Sequence, residues 1–227
     1  MHFQGERYRE VIRLASPLIM STASLTLTLF VDRMFLSWYS EAAVAASVPG
    51  GITYFTICSL FIGTAQYVNS IVAQYHGAQR FRDCARAVWQ GIFFGVLSAP
   101  IILACIPLGL MLFTWAAHDP EVQMLEKHYF ILLMIGGTVQ PINAALSSFF
   151  SGRGKTMVVM WGNVAGNFAN GFLAYLLIFG KLGLPEMGIL GAGIATAVTG
   201  LIPTIFWGWL FLSSHEQPTY ATRREIG

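Results

Sequence analysis

Long apolar runs alternate with short polar connectors along most of this chain. A helix that crosses a bilayer needs about 20 largely apolar residues, and six runs meet that length. Their approximate ranges are 11–38, 43–73, 87–116, 129–150, 157–179 and 188–212. Because the connectors are too short to separate domains, the pattern predicts one bundle of six transmembrane helices.

The composition favours a bilayer over water as the solvent. Of the 227 residues, 55% are hydrophobic and 11% are charged, and the mean hydropathy is +0.61. Soluble domains carry about 25% charged residues. We therefore predict an all-α, multi-pass membrane protein. The net charge of +2, without a basic block, argues against nucleic acid as a partner.

The basic residues predict the orientation, because Lys and Arg accumulate in cytoplasmic loops. In a six-span arrangement ten of the 13 basic residues fall on one side, and only Arg33, Lys127 and Lys181 fall on the other. The ten are Arg7, Arg9, Arg13, Arg80, Arg82, Arg86, Arg153, Lys155, Arg223 and Arg224. Both termini are therefore predicted to be cytoplasmic.

The sequence lacks the motifs of common catalytic and cofactor sites. "GRGKT" lacks the first glycine of a phosphate loop, because residue 149 is Phe. "GILGAGIATAVTG" lacks the strand and helix context of a dinucleotide site, and its small residues favour close helix packing. Neither histidines at metal-ligand spacing nor a GxSxG serine occurs. We predict that the protein is not an enzyme and needs no cofactor.

A polar stripe on the first span ends in an acid. Asp32 is the only acidic residue within the predicted spans, and ionisable groups there usually face a protein interior or a wet cavity. Ser21, Ser24 and Thr28 precede it at helical spacing, so the four side chains share one face. Pro17 begins the stripe and can kink the helix.

Two interpretations of Asp32 remain open. It binds an ion, or it lies near the helix end and pairs with Arg33 or with lipid headgroups. The helical phase turns Arg33 by about 100° from Asp32, which argues against a dedicated pair.

A second polar stripe lies on the fifth span. Asn163, Asn167 and Asn170 follow at steps of four and three residues, and amides seldom face lipid because their donors and acceptors would be unsatisfied. They either bond to neighbouring helices or provide oxygens for a cation or a proton-linked network beside Asp32. Burial disfavours a charged carboxylate and a bound cation restores it, so protons and sodium can compete for such a site.

Several segments, in this order, resemble the N-terminal lobe of the multidrug and toxic compound extrusion (MATE) family. "LASPLI" and "LFVDRMF" resemble its first helix, and "VAQYHGA" resembles the end of its second. "FFSGRGKTMVVM" is similar to its fourth connector, and "NGFLAYLLIFGKLGLPEMGILGAGIATAV" to its fifth and sixth helices. The resemblance covers nearly the whole chain and implies a bacterial-type plasma membrane.

The resemblance implies export of organic, often cationic and lipophilic, compounds by antiport with protons or sodium ions. It assigns Asp32 to the cation site, Pro17 to a helix bend, Asn170 to the first polar ligand of the fifth helix and Thr196 to a sixth-helix hydroxyl. Four residues after Asn170 the family usually has Asp or Asn, and here Ala174 stands instead. This departure weakens the case for sodium more than for protons, and both ions stay open. Apart from a possible sodium ion at Asp32, no metal is expected.

Family members have two six-helix lobes, and this chain resembles one. The expected partners are a small-molecule substrate, the lipid bilayer and a second lobe, which is either a missing C-terminal half or a second copy. Two alternatives remain: a flippase for lipid-linked precursors, which should line its cavity with cations, and a membrane assembly subunit without transport, which has no need of Asp32.

Overall fold

The computed structural model describes residues 2–213 and 217–222, and this part of the chain is helical without strands. The all-α fold is therefore confirmed. The helices are α1 His2–Tyr39, α2 Glu41–Gln66, α3 Val68–Gly77, α4 Phe81–Ala104, α5 Ile106–Trp115, α6 Pro120–Gly137, α7 Gln140–Ser151, α8 Thr156–Phe179, α9 Ile189–Thr199, α10 Leu201–Leu212 and α11 Gln217–Tyr220.

Prolines stand at the start of three helices that follow a break. Pro107 is in the first turn of α5, Pro141 in that of α7 and Pro203 in that of α10. Proline has no N–H group, and its ring clashes with the carbonyl four residues earlier, so it is tolerated best in the first turn of a helix. Between α6 and α7 the helix axis bends by 41°.

Four segments of the described chain are long and apolar enough to span a membrane, and a fifth is added if α6 and α7 count as one bent span. The four are 15–39, 41–77, 81–115 and 189–212. Helix α8, with 24 residues, is long enough but is not among them, because Asn163, Asn167 and Asn170 lower its hydropathy. The count of six spans therefore stays a prediction.

The surface carries large apolar side chains that water would disfavour. Phe168 is 79% exposed, and Leu60 and Trp115 are each 70% exposed. Together with the apolar helices, this surface suits contact with lipid tails.

The predicted orientation rests partly on residues that the structure leaves undescribed. Arg223, Arg224 and the side chains of Arg7, Arg9 and Arg13 lie outside the described residues. The cytoplasmic position of both termini stays a prediction.

Helix α8 packs between α1 and α9, and α6 also packs against α9. Glycines allow two of these close approaches. A Cβ atom at Gly191 of α9 would lie 2.7 Å from the carbonyl carbon of Leu177 in α8, and one at Gly136 of α6 would lie 2.6 Å from the Cα of Ala197. The small residues of α9 therefore serve close packing, and they bring α1, α8 and α9 together where the polar side chains meet.

Candidate ion site

The polar stripes of α1 and α8 face each other. Asn163 Nδ2 donates to Ser21 Oγ at 2.6 Å, and one turn further along Asn167 Nδ2 donates to Ser24 Oγ at 3.0 Å. The two bonds repeat because both stripes advance by the same helical period. They satisfy one donor of each amide and hold the two helices together.

The third asparagine of the stripe reaches the acid. With the Asn170 amide nitrogen turned toward α1, it lies 3.1 Å from Asp32 Oδ2 and 3.3 Å from Oδ1. On the other side of the amide are two hydroxyls of α9, those of Thr196 at 3.3 Å and Thr199 at 3.2 Å. Asp32 is partly buried, and Asn170 is buried. The geometry thus links α1, α8 and α9 through a single amide.

The orientation of the Asn170 amide depends on whether Asp32 carries a proton. An ionised carboxylate only accepts, so it requires the Asn170 N–H groups to point toward it. A protonated carboxyl can donate to Asn170 Oδ1, and the reversed amide then donates to Thr196 Oγ1 and Thr199 Oγ1. In that arrangement both hydroxyls still donate to carbonyls of their own helix, at 3.0 Å to Ala192 and 2.6 Å to Ala195.

With Asp32 ionised, the Asn170 oxygen instead faces the two hydroxyls. Each hydroxyl has one proton, so it must leave the carbonyl of its own helix in order to donate to the amide. A change of charge on α1 is therefore matched by a change of hydrogen bonding on α9.

The other members of the first stripe stay on their own helix. Thr28 Oγ1 donates to the carbonyl of Ser24 at 3.0 Å, and Pro17 is buried within α1. Arg33 is exposed, and among the described residues no ion pair joins it to Asp32.

Ala174 lies in an apolar environment, one turn beyond Asn170. It is fully buried in a cluster that includes Leu36 of α1 and Ala192 and Ala195 of α9. The position therefore provides no side-chain oxygen to a bound ion.

A second buried polar network adjoins the site at the break between α9 and α10. Asn143 Nδ2 of α7 donates to the Gly200 carbonyl at 3.0 Å and lies 3.4 Å from Gln140 Oε1, at the start of α7. The hydroxyl of Thr204 donates to Asn143 Oδ1. Gly200 directly follows Thr199, so Asn143 ties the α6–α7 break and the α9–α10 break to each other beside the Asp32 network.

Three residues near the site are not among those predicted from the sequence. Thr199 follows Thr196 by three residues on the same helical face, a spacing that could have identified it. Asn143 is an amide within the fourth predicted span, and Gln140, Ser147 and Ser151 share its helical face, a pattern that could have identified it. Tyr129 lies close enough to Asp32 for an electrostatic interaction, which no local pattern indicates.

Groups suited to metal binding are absent from the described residues. No set of three or more His, Cys, Asp or Glu side chains there could hold a metal ion. Cys58, Cys84 and Cys105 are free thiols.

The chain matches the family model MatE over residues 17–176. It is 27% identical to the probable multidrug resistance protein NorM of Thermotoga maritima, covering 96% of this chain and 49% of that protein. It is 30% identical to the protein of the same name from Photorhabdus laumondii, covering 93% and 47%. The chain thus spans about half the length of the curated relatives it matches.

Solved structures share the fold. A crystal structure of a MATE in the bent conformation superposes with a TM-score of 0.84 at 20% identity, covering 97% of this chain and 48% of that one. A MOP superfamily transporter from Pyrococcus furiosus gives a TM-score of 0.81 at 21% identity, covering 96% and 50%. The likeness again extends over half of each solved chain.

Proposed function

Because this chain belongs to the MatE family, we propose that it forms one lobe of a secondary transporter that exports organic compounds, many of them cationic and lipophilic. The relatives named as probable multidrug resistance proteins support export of several compounds, while the cationic and lipophilic character follows from the resemblance described above. The coverage of about half of each relative supports a second lobe, which is the remainder of a longer polypeptide or a second copy of this chain.

In this proposal Asp32 is the coupling site. The observation that carries it is the Asp32–Asn170 contact at 3.1 Å, which joins the only acid of α1's polar stripe to α8 and α9. Binding or release of an ion at Asp32 changes which hydrogen bonds connect the three helices. A change of occupancy can therefore favour one helix arrangement over another.

Protons are better supported than sodium as the coupling ion. A metal cation bound through oxygen needs several oxygen ligands, and Ala174 contributes none from its apolar cluster. A proton needs only the carboxyl and the surrounding hydrogen bonds. We infer that the pH gradient, more than a sodium gradient, drives export.

The test is efflux of a fluorescent organic cation from cells that express the complete protein, as wild type and as Asp32→Asn. We expect the variant to lose efflux driven by a pH gradient, because Asn cannot exchange a proton. Asp83→Asn is the matched control, since Asp83 is an acid of α4 that pairs with Arg80 at 2.7 Å, away from the site. Gradient-driven efflux that survives in Asp32→Asn would remove Asp32 from the coupling role.

The remaining alternatives receive less support. A flippase for lipid-linked precursors should present cations to its cavity, and Arg33 is exposed and outside the Asp32 network. A subunit without transport gives no reason for an acid, an amide and two hydroxyls to converge. An absence of efflux in the wild type would favour that subunit.

A further inference from the structure

A fully buried carboxylate lies near the start of α6, outside the network of Asp32. Glu126 has an exposed fraction of 0%, and its Oε1 lies 2.8 Å from His118 Nδ1. Its Oε2 is the only buried side-chain N or O atom among the described residues that lacks a hydrogen-bond partner. Such an atom is unfavourable unless a ligand, a water molecule or a proton satisfies it.

Glu126 lines a pocket of about 300 Å³ where α2 meets the beginning of α6. The walls combine apolar and acidic side chains. They are Ala45, Pro49, His118, Asp119, Val122 and Glu126. A volume of this size exceeds that of a single water molecule or a bare metal ion many times.

Two charged side chains near Glu126 in sequence have other hydrogen-bond partners. Lys127, the next residue along α6, donates to Gln123 Oε1 at 3.1 Å. Asp119 Oδ1 caps the helix by accepting from the Glu121 backbone N–H at 3.0 Å. His118 is thus the only partner that the described residues provide for Glu126.

His118 lies between the Glu126 carboxylate and the surface of the protein. Its side chain is 41% exposed while that of Glu126 is fully buried, and it stands in the connector before α6. The preceding residue, Ala117, has a φ of 50°, a left-handed conformation that is unfavourable for a residue with a Cβ atom. Because His118 stands outside the helices, its imidazole can rotate without displacing one.

We propose that this pocket binds a small organic ammonium ion, with the ammonium group on Glu126 and its alkyl part against Ala45, Pro49 and Val122. An ammonium group offers three N–H donors, which suit a carboxylate with a free acceptor. Apolar walls favour the alkyl part. A metal cation is disfavoured because the pocket contains only two carboxylates and no group of metal ligands.

The pocket lies at the same end of the bundle as the ion site. Tyr129 follows Glu126 by one helical turn, lies 3.1 Å from a Cβ atom built on Gly50 of α2, and interacts electrostatically with Asp32. About one turn of α6 therefore separates Glu126, where the ammonium ion would bind, from Tyr129, which lies near Asp32. Binding at Glu126 does not depend on Asp32 acting as the coupling site.

The experiment measures binding of n-propylammonium and of n-propanol, its neutral counterpart, to the purified full-length protein by saturation-transfer NMR. We expect the ammonium ion to bind more tightly than the alcohol, and Glu126→Gln to weaken its binding at least tenfold. Glu121→Gln is the matched control, since Glu121 is an exposed acid of the same helix outside the pocket. It should bind as the wild type does.

Val122→Phe provides a second variant that keeps Glu126 and fills the apolar wall. If Glu126→Gln does not fold, loss of binding in Val122→Phe still supports the site. Equal binding of the ammonium ion and the alcohol would overturn the proposal. Unchanged ammonium binding in folded Glu126→Gln, or in Val122→Phe, would overturn it as well.

Discussion

The contact between Asp32 and Asn170 joins a group that gains and loses a proton to one that does not. Hydrogen-bonding rules require the amide to exchange its donor and acceptor ends if the charge of Asp32 changes. Two threonine hydroxyls on α9 lie at 3.2 and 3.3 Å from it and must adjust to each direction. Thr199 is the more buried of the two, so water cannot readily replace its hydrogen bonds.

Thr199→Val should change the pH dependence of efflux. When Asp32 is protonated, the Thr199 hydroxyl accepts from Asn170 and donates to the Ala195 carbonyl. Beside an ionised Asp32 its single proton can be donated either to the Asn170 oxygen or to the Ala195 carbonyl, so one bond is lost. Removing it therefore weakens the protonated state more, and half-maximal efflux moves to lower pH. A bond worth about 1 kcal/mol corresponds to a shift of about 0.7 pH unit.

The measurement is the pH profile of efflux for Thr199→Val and for Thr199→Ser, which keeps the hydroxyl. Tyr129 and Arg33, the other ionisable groups near Asp32, are the same in both variants. Serine should restore the wild-type profile. If valine lowers thermal stability but leaves the pH profile in place, Thr199 only packs α9 against α8.

At the residue scale, the sequence predicted which polar side chains share a helical face, but not which of them form hydrogen bonds between helices. Helical spacing alone groups Ser21, Ser24 and Asp32 on one face and the three asparagines of α8 on another. Which hydroxyl meets which amide depends on the axial offset of two helices that are more than a hundred residues apart in sequence. The functional roles of these residues stay predictions.

Among the elements, the broken helices place polar backbone groups beside the ion site. Pro203 cannot donate to the carbonyl of Thr199, four residues earlier, and Asn143 binds the carbonyl of the next residue, Gly200, at 3.0 Å. The bend of 41° between α6 and α7 lies just before Asn143 in the sequence. Movement at either break therefore strains the hydrogen bonds of Asn143.

Asn143→Leu should shift the ion dependence of efflux as well as lower thermal stability. Loss of the amide leaves the Gly200 carbonyl with fewer partners, and an unsatisfied buried group costs about 1–3 kcal/mol. Asn69→Leu is the matched control, because Asn69 bonds Ser151 at 2.7 Å, at the far end of α7. Both variants should melt at lower temperature, but only Asn143→Leu should alter the pH profile. Equal profiles would show that Asn143 is structural only.

The elements also show where hydropathy alone misleads. The fourth span was predicted to begin at 129, but α6 begins at Pro120 with Asp119 as its cap. An Asp followed by Pro is a typical helix start, yet the charged residues after it hide the helix from an apolar window. The apolar run that begins at residue 129 therefore excludes Glu126, which lies inside α6 and is buried.

At the scale of the whole molecule, this chain spans about half the length of the relatives it matches. The described residues present one bundle, and the relatives are about twice as long. In the proposed function, the substrate passes between two lobes, so substrate choice would depend on residues of both. Composition and hydropathy predicted the membrane fold because they average over the chain, while the substrate depends on a few side chains and could not be predicted.

Helix α8 should insert poorly into a membrane by itself. Its three asparagines lower its hydropathy, whereas α9 and α10 together pass as a span. In a glycosylation-mapping assay with microsomes, an isolated α8 segment should integrate less often than the α9–α10 segment. Replacing Asn163 and Asn167 by Leu should raise its integration, and efficient integration of unaltered α8 would contradict the prediction.

The order of synthesis then becomes important. Ser21 and Ser24 leave the ribosome long before Asn163 and Asn167, their hydrogen-bond partners in α8. By the time α8 reaches the translocon, α1 can already be in the bilayer and can accept the amides as they enter. If α8 inserts poorly by itself, as expected above, its hydrogen bonds to Ser21 and Ser24 would assist its entry into the membrane as well as hold the folded helices together.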